Sequence, residues 1–208
     1  DTRFDRVYEI AQQAKRLPEI ERFAADAPVF IAGSTWPPDE ELLVGLIERY
    51  PDVKFIVAPH EIDPARIEKF CERISRPALR YTQLTPQSDL AAAGVLFVDT
   101  IGILSSIYRY GRWGYIGGGF GAGIHNTLEA ATFGLPLAFG PRYGKFREAR
   151  DLVTLRGAAS IASAEELERW FAGLHDDPDA TGRSGTICKE YVLQHKGATA
   201  RIMDEICR

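Results

Sequence analysis

Short apolar runs alternate with helical stretches along most of this chain, and that alternation restricts the fold more than any other feature. The runs fall at Val29 to Ala32, Val53 to Ala58, a weaker one at Leu79 to Leu84, then Val95 to Val98, Trp113 to Ile116 and Leu135 to Phe139. Between them, Pro38 to Tyr50, Pro64 to about Ile74, Ile103 to Tyr110 and His125 to Phe133 read as helices. Strands this short and apolar on both faces, separated by helices, belong to a parallel sheet, because crossover connections cover both of its faces. The expectation is an α/β fold with a parallel sheet of about six strands and helices on both faces. Two helical stretches lead, Phe4 to Leu17 and Pro18 to Ala25, the second opened by a first-turn proline. Phe146 to Leu155, Ala164 to Leu174 and a final helical segment at about Ala180 to Cys207 follow the last strand. With 208 residues, 45% hydrophobic and 26% charged, residues 1–208 suffice for one such domain, with terminal helices at about 3–25 and 180–207.

Composition excludes several classes of function. The formal charge is −4, and basic residues are interleaved with acidic ones, so no electrostatic footprint for nucleic acid is present. The longest apolar run, around Leu90 to Val98, is far short of the roughly 20 residues that span a bilayer, and the chain is expected to be soluble. Cys71, Cys188 and Cys207 are widely spaced and odd in number, which points to neither a disulfide framework nor a zinc knuckle. The chain opens on Asp1-Thr2-Arg3-Phe4 without an initiator methionine and is expected to be the interior of a longer polypeptide.

In open parallel sheets, ligands bind beyond the carboxyl ends of the strands. Gly33-Ser34-Thr35, His60-Glu61, Asp99-Thr100 and the loop from Gly117 to Asn126 all fall at such ends and are expected to share one rim. The last is the richest: five glycines in seven positions, Gly117 to Gly123, lead to His125-Asn126, with Glu129 one turn into the expected helix. Glycines let backbone approach a ligand closely, and free N–H groups at a helix start attract anions. A glutamate four residues after His125 would lie on the same helix face, where its two carboxylate oxygens could accept from both hydroxyls of a ribose. The loop can also be read as punctuation of a β-to-α turn, Asn126 and Ser34-Thr35 as helix caps, and Glu129 as a complement to the helix dipole. His125 is a poor cap and stands open as a phosphate donor or a general acid. No second histidine or carboxylate stands at ligand spacing from His60-Glu61, so no metal site is expected. Ser105-Ser106 lacks a nucleophile elbow. Among Arg142, Lys145 and Arg147, Lys145 is the candidate for a sugar carboxylate, and His175 and His195, in polar segments, read as solvated.

Together, GSTWPPDEELL from Gly33, FIVAPHE from Phe55, VDTIGILSSIYRYG from Val98, YIGGGFGAGIHNTLEAATFGLPLAFGP from Tyr115 and YGKFREA from Tyr143 closely resemble the C-terminal half of the bacterial 3-deoxy-D-manno-octulosonic acid (Kdo) transferases. The resemblance covers nearly the whole chain in the same motif order. It implies a Rossmann-like domain, the C-terminal half of a GT-B glycosyltransferase, that binds the donor CMP-Kdo, while an N-terminal domain outside this chain binds the lipid A precursor. It further implies Gly118, Gly119, His125 and Asn126 near the CMP phosphate, Glu129 on the ribose, Phe120 among the substrate-binding residues, and Gly33, Ser34, Thr35 and the His60 region completing the donor cleft. The general base is expected on the N-terminal domain, so no catalytic residue is expected here; neither cofactor nor metal is implied. The full enzyme would work in lipopolysaccharide biosynthesis at the cytoplasmic face of the inner membrane, and this part alone would bind donor but transfer little sugar. A UDP-sugar-dependent GT-B transferase or epimerase would share the same sheet, glycine loop and glutamate, and a non-catalytic nucleotide-binding module is the alternative of another class.

Overall fold

The computed structural model describes residues 1–198. Helices α1 (Arg3–Gln12) and α2 (Pro18–Ala24) precede strand β1 (Val29–Thr35), and α3 (Pro37–Arg49) leads to β2 (Lys54–Pro59). Then come α4 (Pro64–Cys71), β3 (Ala78–Arg80), β4 (Val95–Phe97), the short α5 (Leu104–Ile107), β5 (Trp113–Ile116), α6 (Leu128–Thr132) and β6 (Leu137–Phe139). The chain continues through α7 (Arg147–Thr154), β7 (Ala158–Ser160), α8 (Ala164–His175) and α9 (Pro178–His195). The sheet order is β3-β4-β2-β1-β5-β6-β7, and every pairing is parallel.

The parallel α/β expectation holds, with seven strands in place of about six. The extra one, β7, is three small residues with no β-branched or aromatic side chain to mark it, and it is a strand because it completes the edge beside β6. The expected helix from Ala180 begins two residues earlier, runs unbroken to His195 despite its glycines, and its expected extension toward Cys207 lies outside the described residues.

Alternation along β1 shows why the sheet is covered twice. Val29 and Ile31 point into one apolar layer with Phe4, Val7, Ile20, Phe23, Leu128, Leu152 and Tyr191, from α1, α2, α6, α7 and α9. Phe30 and Ala32 point into the other, with Leu43, Ile47, Phe70 and Phe171 from α3, α4 and α8. Phe30, Phe55, Trp113 and Phe171 are almost entirely buried, and each large apolar side chain so placed contributes about 1.5–3 kcal/mol.

His175 is not solvated as its sequence context suggested. Its ring packs near Tyr50, Trp113 and Phe171, its Nε2 lies 2.7 Å from Asp52 and its Nδ1 2.9 Å from Asp176. Burial would lower its pKa, but hydrogen bonds to Asp176 and Asp52 outweigh that and raise it. A raised folded-state pKa gives stability that is complete below the unfolded value of about 6.5 and fades as pH climbs through the folded one. Urea midpoints are therefore expected to fall from pH 6 to pH 8 in the native chain, and less steeply in His175→Gln; equal slopes would remove His175 as the cause. His195 is also engaged, stacking on Phe4 at 5.1 Å and bonding the Tyr191 carbonyl.

Candidate functional site

After β1 and β2 the chain adds β4 and β3 on one side, then crosses to place β5 on the other side of β1. That reversal opens a crevice at the carboxyl ends of β1 and β5, the usual ligand position in such sheets. Gly33-Ser34-Thr35 and the glycine loop meet there. β1 continues through Thr35, with a register irregularity at Ser34, whose φ is +54°. The loop after β5 crosses so closely over Ser34 that a Cβ on Gly117 would collide with the Ser34 carbonyl. Gly118 has φ +95°, a conformation open to glycine and strained for other residues.

The loop is held by Asp39 and Tyr115, which the sequence did not single out, and by Arg142. Asp39, in the first turn of α3 and almost fully buried, accepts the Tyr115 hydroxyl at 2.6 Å on Oδ1. Its Oδ2 accepts the N–H groups of Gly118 and Trp36, both at 2.9 Å. Burial and the neighbouring Asp39 carboxylate push the Tyr115 phenol far above its ordinary pKa, so it remains a donor. The Arg142 guanidinium donates to the Gly121 carbonyl at 2.8 Å. Asp39 reads in sequence as an ordinary first-turn acid; only the tertiary approach of β5 reveals its role.

His125 and Asn126 do not open a helix. The His125 N–H bonds the Gly117 carbonyl and that of Ile124 the Arg142 carbonyl, keeping the chain in the loop until α6 begins at Leu128. At five residues α6 offers little dipole, which weakens the helix-start account of anion binding. The Asn126 side chain bridges the turn, accepting from Leu128 N and donating to Glu129 Oε1, both at 3.0 Å. Glu129 is half-buried; burial raises its pKa, while the Asn126 bond and the Arg6 charge pull it back.

Two cavities flank His125. One, of about 360 Å³, is lined by Trp36, Asp39, Gly118 and Phe120. The other, of about 420 Å³, is lined by Asn126 and Glu129 together with Arg3 and Arg6 of α1. His125 belongs to both linings. His60 stacks on His125 at 4.2 Å and on Trp36 at 4.7 Å, so the ends of β2 and β5 and the start of α3 share one rim as expected. Gly33, Ser34, Thr35, His60, Gly119 and Lys145 line neither cavity. Gly33 leaves room for the Tyr108 phenol, which an added Cβ would strike, and Gly119 packs on the Gly140 backbone, where an added Cβ would stand 2.6 Å away. The buried Thr35 hydroxyl donates to Glu40 at 2.9 Å. Lys145 is exposed. Asp99 is committed to Arg80 and Thr82. No group of three or more histidine, cysteine or acidic side chains suited to a metal occurs among the described residues, and no helix there is long and apolar enough to cross a membrane.

No family model matches the chain. It is 26% identical over 187 residues to the 3-deoxy-D-manno-octulosonic acid transferase of Haemophilus influenzae, covering 86% of this chain and 43% of that protein. It is 29% identical over 198 residues to the Rickettsia bellii transferase of the same name, covering 92% of this chain and 46% of that one. The chain thus spans less than half the length of these curated relatives. The crystal structure of the C-terminal CMP-Kdo binding domain of WaaA from Acinetobacter baumannii superposes with a TM-score of 0.73 at 22% identity, covering 91% of this chain and 98% of that one.

Proposed function

We propose, from the premise that this chain is a relative of the Kdo transferases with the fold of their C-terminal domain, that it is the donor-binding part of an inverting glycosyltransferase using CMP-Kdo. One observation carries the reading. His125, Asn126 and Glu129 converge on a single cavity at the sheet's reversal point, and Arg6 brings positive charge to the same lining, where Arg3 is ion-paired with Asp1 and Glu148. Glu129, oriented by Asn126, is suited to accept from ribose hydroxyls, while His125 and Arg6 suit the phosphate beside it.

Transfer to an acceptor hydroxyl forms a bond at the anomeric carbon of Kdo as the bond to the CMP phosphate breaks. The leaving CMP carries the new negative charge, which N–H donors and guanidinium groups fixed in advance stabilise as it develops. We assign that role to protein donors and to no metal. The base that takes the acceptor proton belongs to the remainder of the enzyme, as does the surface for a lipid A precursor at the cytoplasmic face of the inner membrane. This chain alone would bind donor without efficient transfer.

A nitrogen–proton NMR titration with CMP tests the reading, with UMP as the control. Saturable shifts centred on His125 to Glu129, larger for CMP, are expected. A preference for UMP would replace the Kdo assignment with a UDP-sugar enzyme of the same fold, and the absence of shifts with either nucleotide would remove nucleotide binding from this chain.

A further inference from the structure

The role left open for His125, donor or acid, turns on which ring nitrogen holds its proton. The Trp36 indole Nε1 lies 3.0 Å from His125 Nε2, and the two ring planes differ by only 11°. An indole N–H donates and never accepts. His125 Nε2 must therefore be the acceptor, so the neutral ring carries its proton on Nδ1. The imidazole edge bearing Nε2 is also turned into the glycine loop: a Cβ added to Gly118 would stand 3.0 Å from Cδ2 and 3.3 Å from Nε2. Nδ1 is on the other side of the ring, away from Trp36 and Gly118, and His125 is also part of the wall around Asn126 and Glu129.

We propose that Trp36 is a positioning residue whose indole N–H locks His125 in the Nδ1–H tautomer, so that His125 meets the ligand phosphate as a neutral Nδ1–H donor and transfers no proton through Nε2. The phosphate part rests on the donor-binding reading above; the tautomer part does not. The surroundings agree. Burial depresses the His125 pKa and the neighbouring His60 ring depresses it further, with Asp39 opposing them. The same cavity lining holds Arg3 and Arg6 beside Glu129 and Glu148, with Arg3 paired to Glu148. Protonating Nε2 would require breaking the Trp36 bond. Trp36 is fixed in turn by its own N–H on Asp39 and by stacking on His60, so the lock is tied to the bracing of the loop.

The tautomer can be read without ligand from long-range nitrogen–proton spectra of the imidazole at pH 7.5. The native chain is expected to show His125 protonated at Nδ1, and Trp36→Phe, which keeps an aromatic ring but removes the donor, a tautomer mixture and a higher His125 pKa. CMP binding in that variant is expected to weaken about three- to tenfold, the worth of one neutral hydrogen bond. Asparagine places its amide nitrogen near the Nδ1 position and glutamine near Nε2. His125→Asn is accordingly expected to bind CMP within about threefold of the native chain, insensitive to Trp36→Phe, whereas His125→Gln loses binding by the same three- to tenfold. An Nε2–H tautomer in the native chain, or an unchanged tautomer in Trp36→Phe, would overturn the lock. An Nδ1–H tautomer in a chain that binds no CMP would uphold the lock and overturn its phosphate role together with the donor-binding reading.

Discussion

Asp39→Ala is expected to destabilise the chain by roughly 3–5 kcal/mol, because it strands three donors, at about 1–3 kcal/mol for each one left buried and unsatisfied. The Tyr115 hydroxyl and the Gly118 N–H are buried, so water cannot freely replace the carboxylate, while the Trp36 N–H is nearer the surface. The effect should appear as a lower urea midpoint with an unchanged slope. Asp39→Asn is expected to lose less, since one amide oxygen can still accept while the amide nitrogen faces a donor. A loss below about 1 kcal/mol for the alanine variant would mean that the loop relaxes onto other partners. The carboxylate would then not be what holds Gly118 in place.

Glu129→Ala should weaken CMP binding about ten- to a hundredfold, the range for removing a charge-assisted hydrogen bond worth roughly 1.5–3 kcal/mol. Stability should change little, because Glu129 is only half-buried and its one hydrogen-bond partner among the described residues, Asn126, is exposed. The pH dependence has a definite sign. Burial raises the pKa of Glu129, with Asn126 and Arg6 only partly offsetting it, so the carboxylate protonates at higher pH than an ordinary glutamate. CMP affinity should therefore decline on acidification before exposed carboxylates titrate, and Glu129→Ala should abolish that part of the decline. A folded alanine variant that binds CMP as tightly as the native chain would exclude Glu129 from the ribose site.

The sheet was legible because burial on both faces leaves continuous apolar runs, as in Phe55-Ile56-Val57. The gathering of motifs on one rim followed from strand polarity alone. Ala158–Ser160 escaped because its strand character comes from pairing with β6 and not from its residues. The late start of α6 was hidden in two bonds to distant carbonyls, those of Gly117 and Arg142. Trp36, Asp39 and Tyr115 act through contacts between segments far apart in sequence, and no local pattern encodes such contacts. Lys145 carried the right charge for a ligand carboxylate, yet Arg3 and Arg6, far before the loop in the chain, are the cations that line the cavity.

That last arrangement bears on how the domain should be cut. Arg3, Arg6, Val7 and Ile10 of α1 form one wall of the Glu129 cavity, and Arg3 reaches the buried Glu148 through both terminal nitrogens. A clone trimmed to begin at β1 would keep every strand of the sheet and the whole glycine loop while discarding the wall that faces them. On the donor-binding reading it would pass as the complete unit by its strand content while lacking the α1 side of the Glu129 cavity.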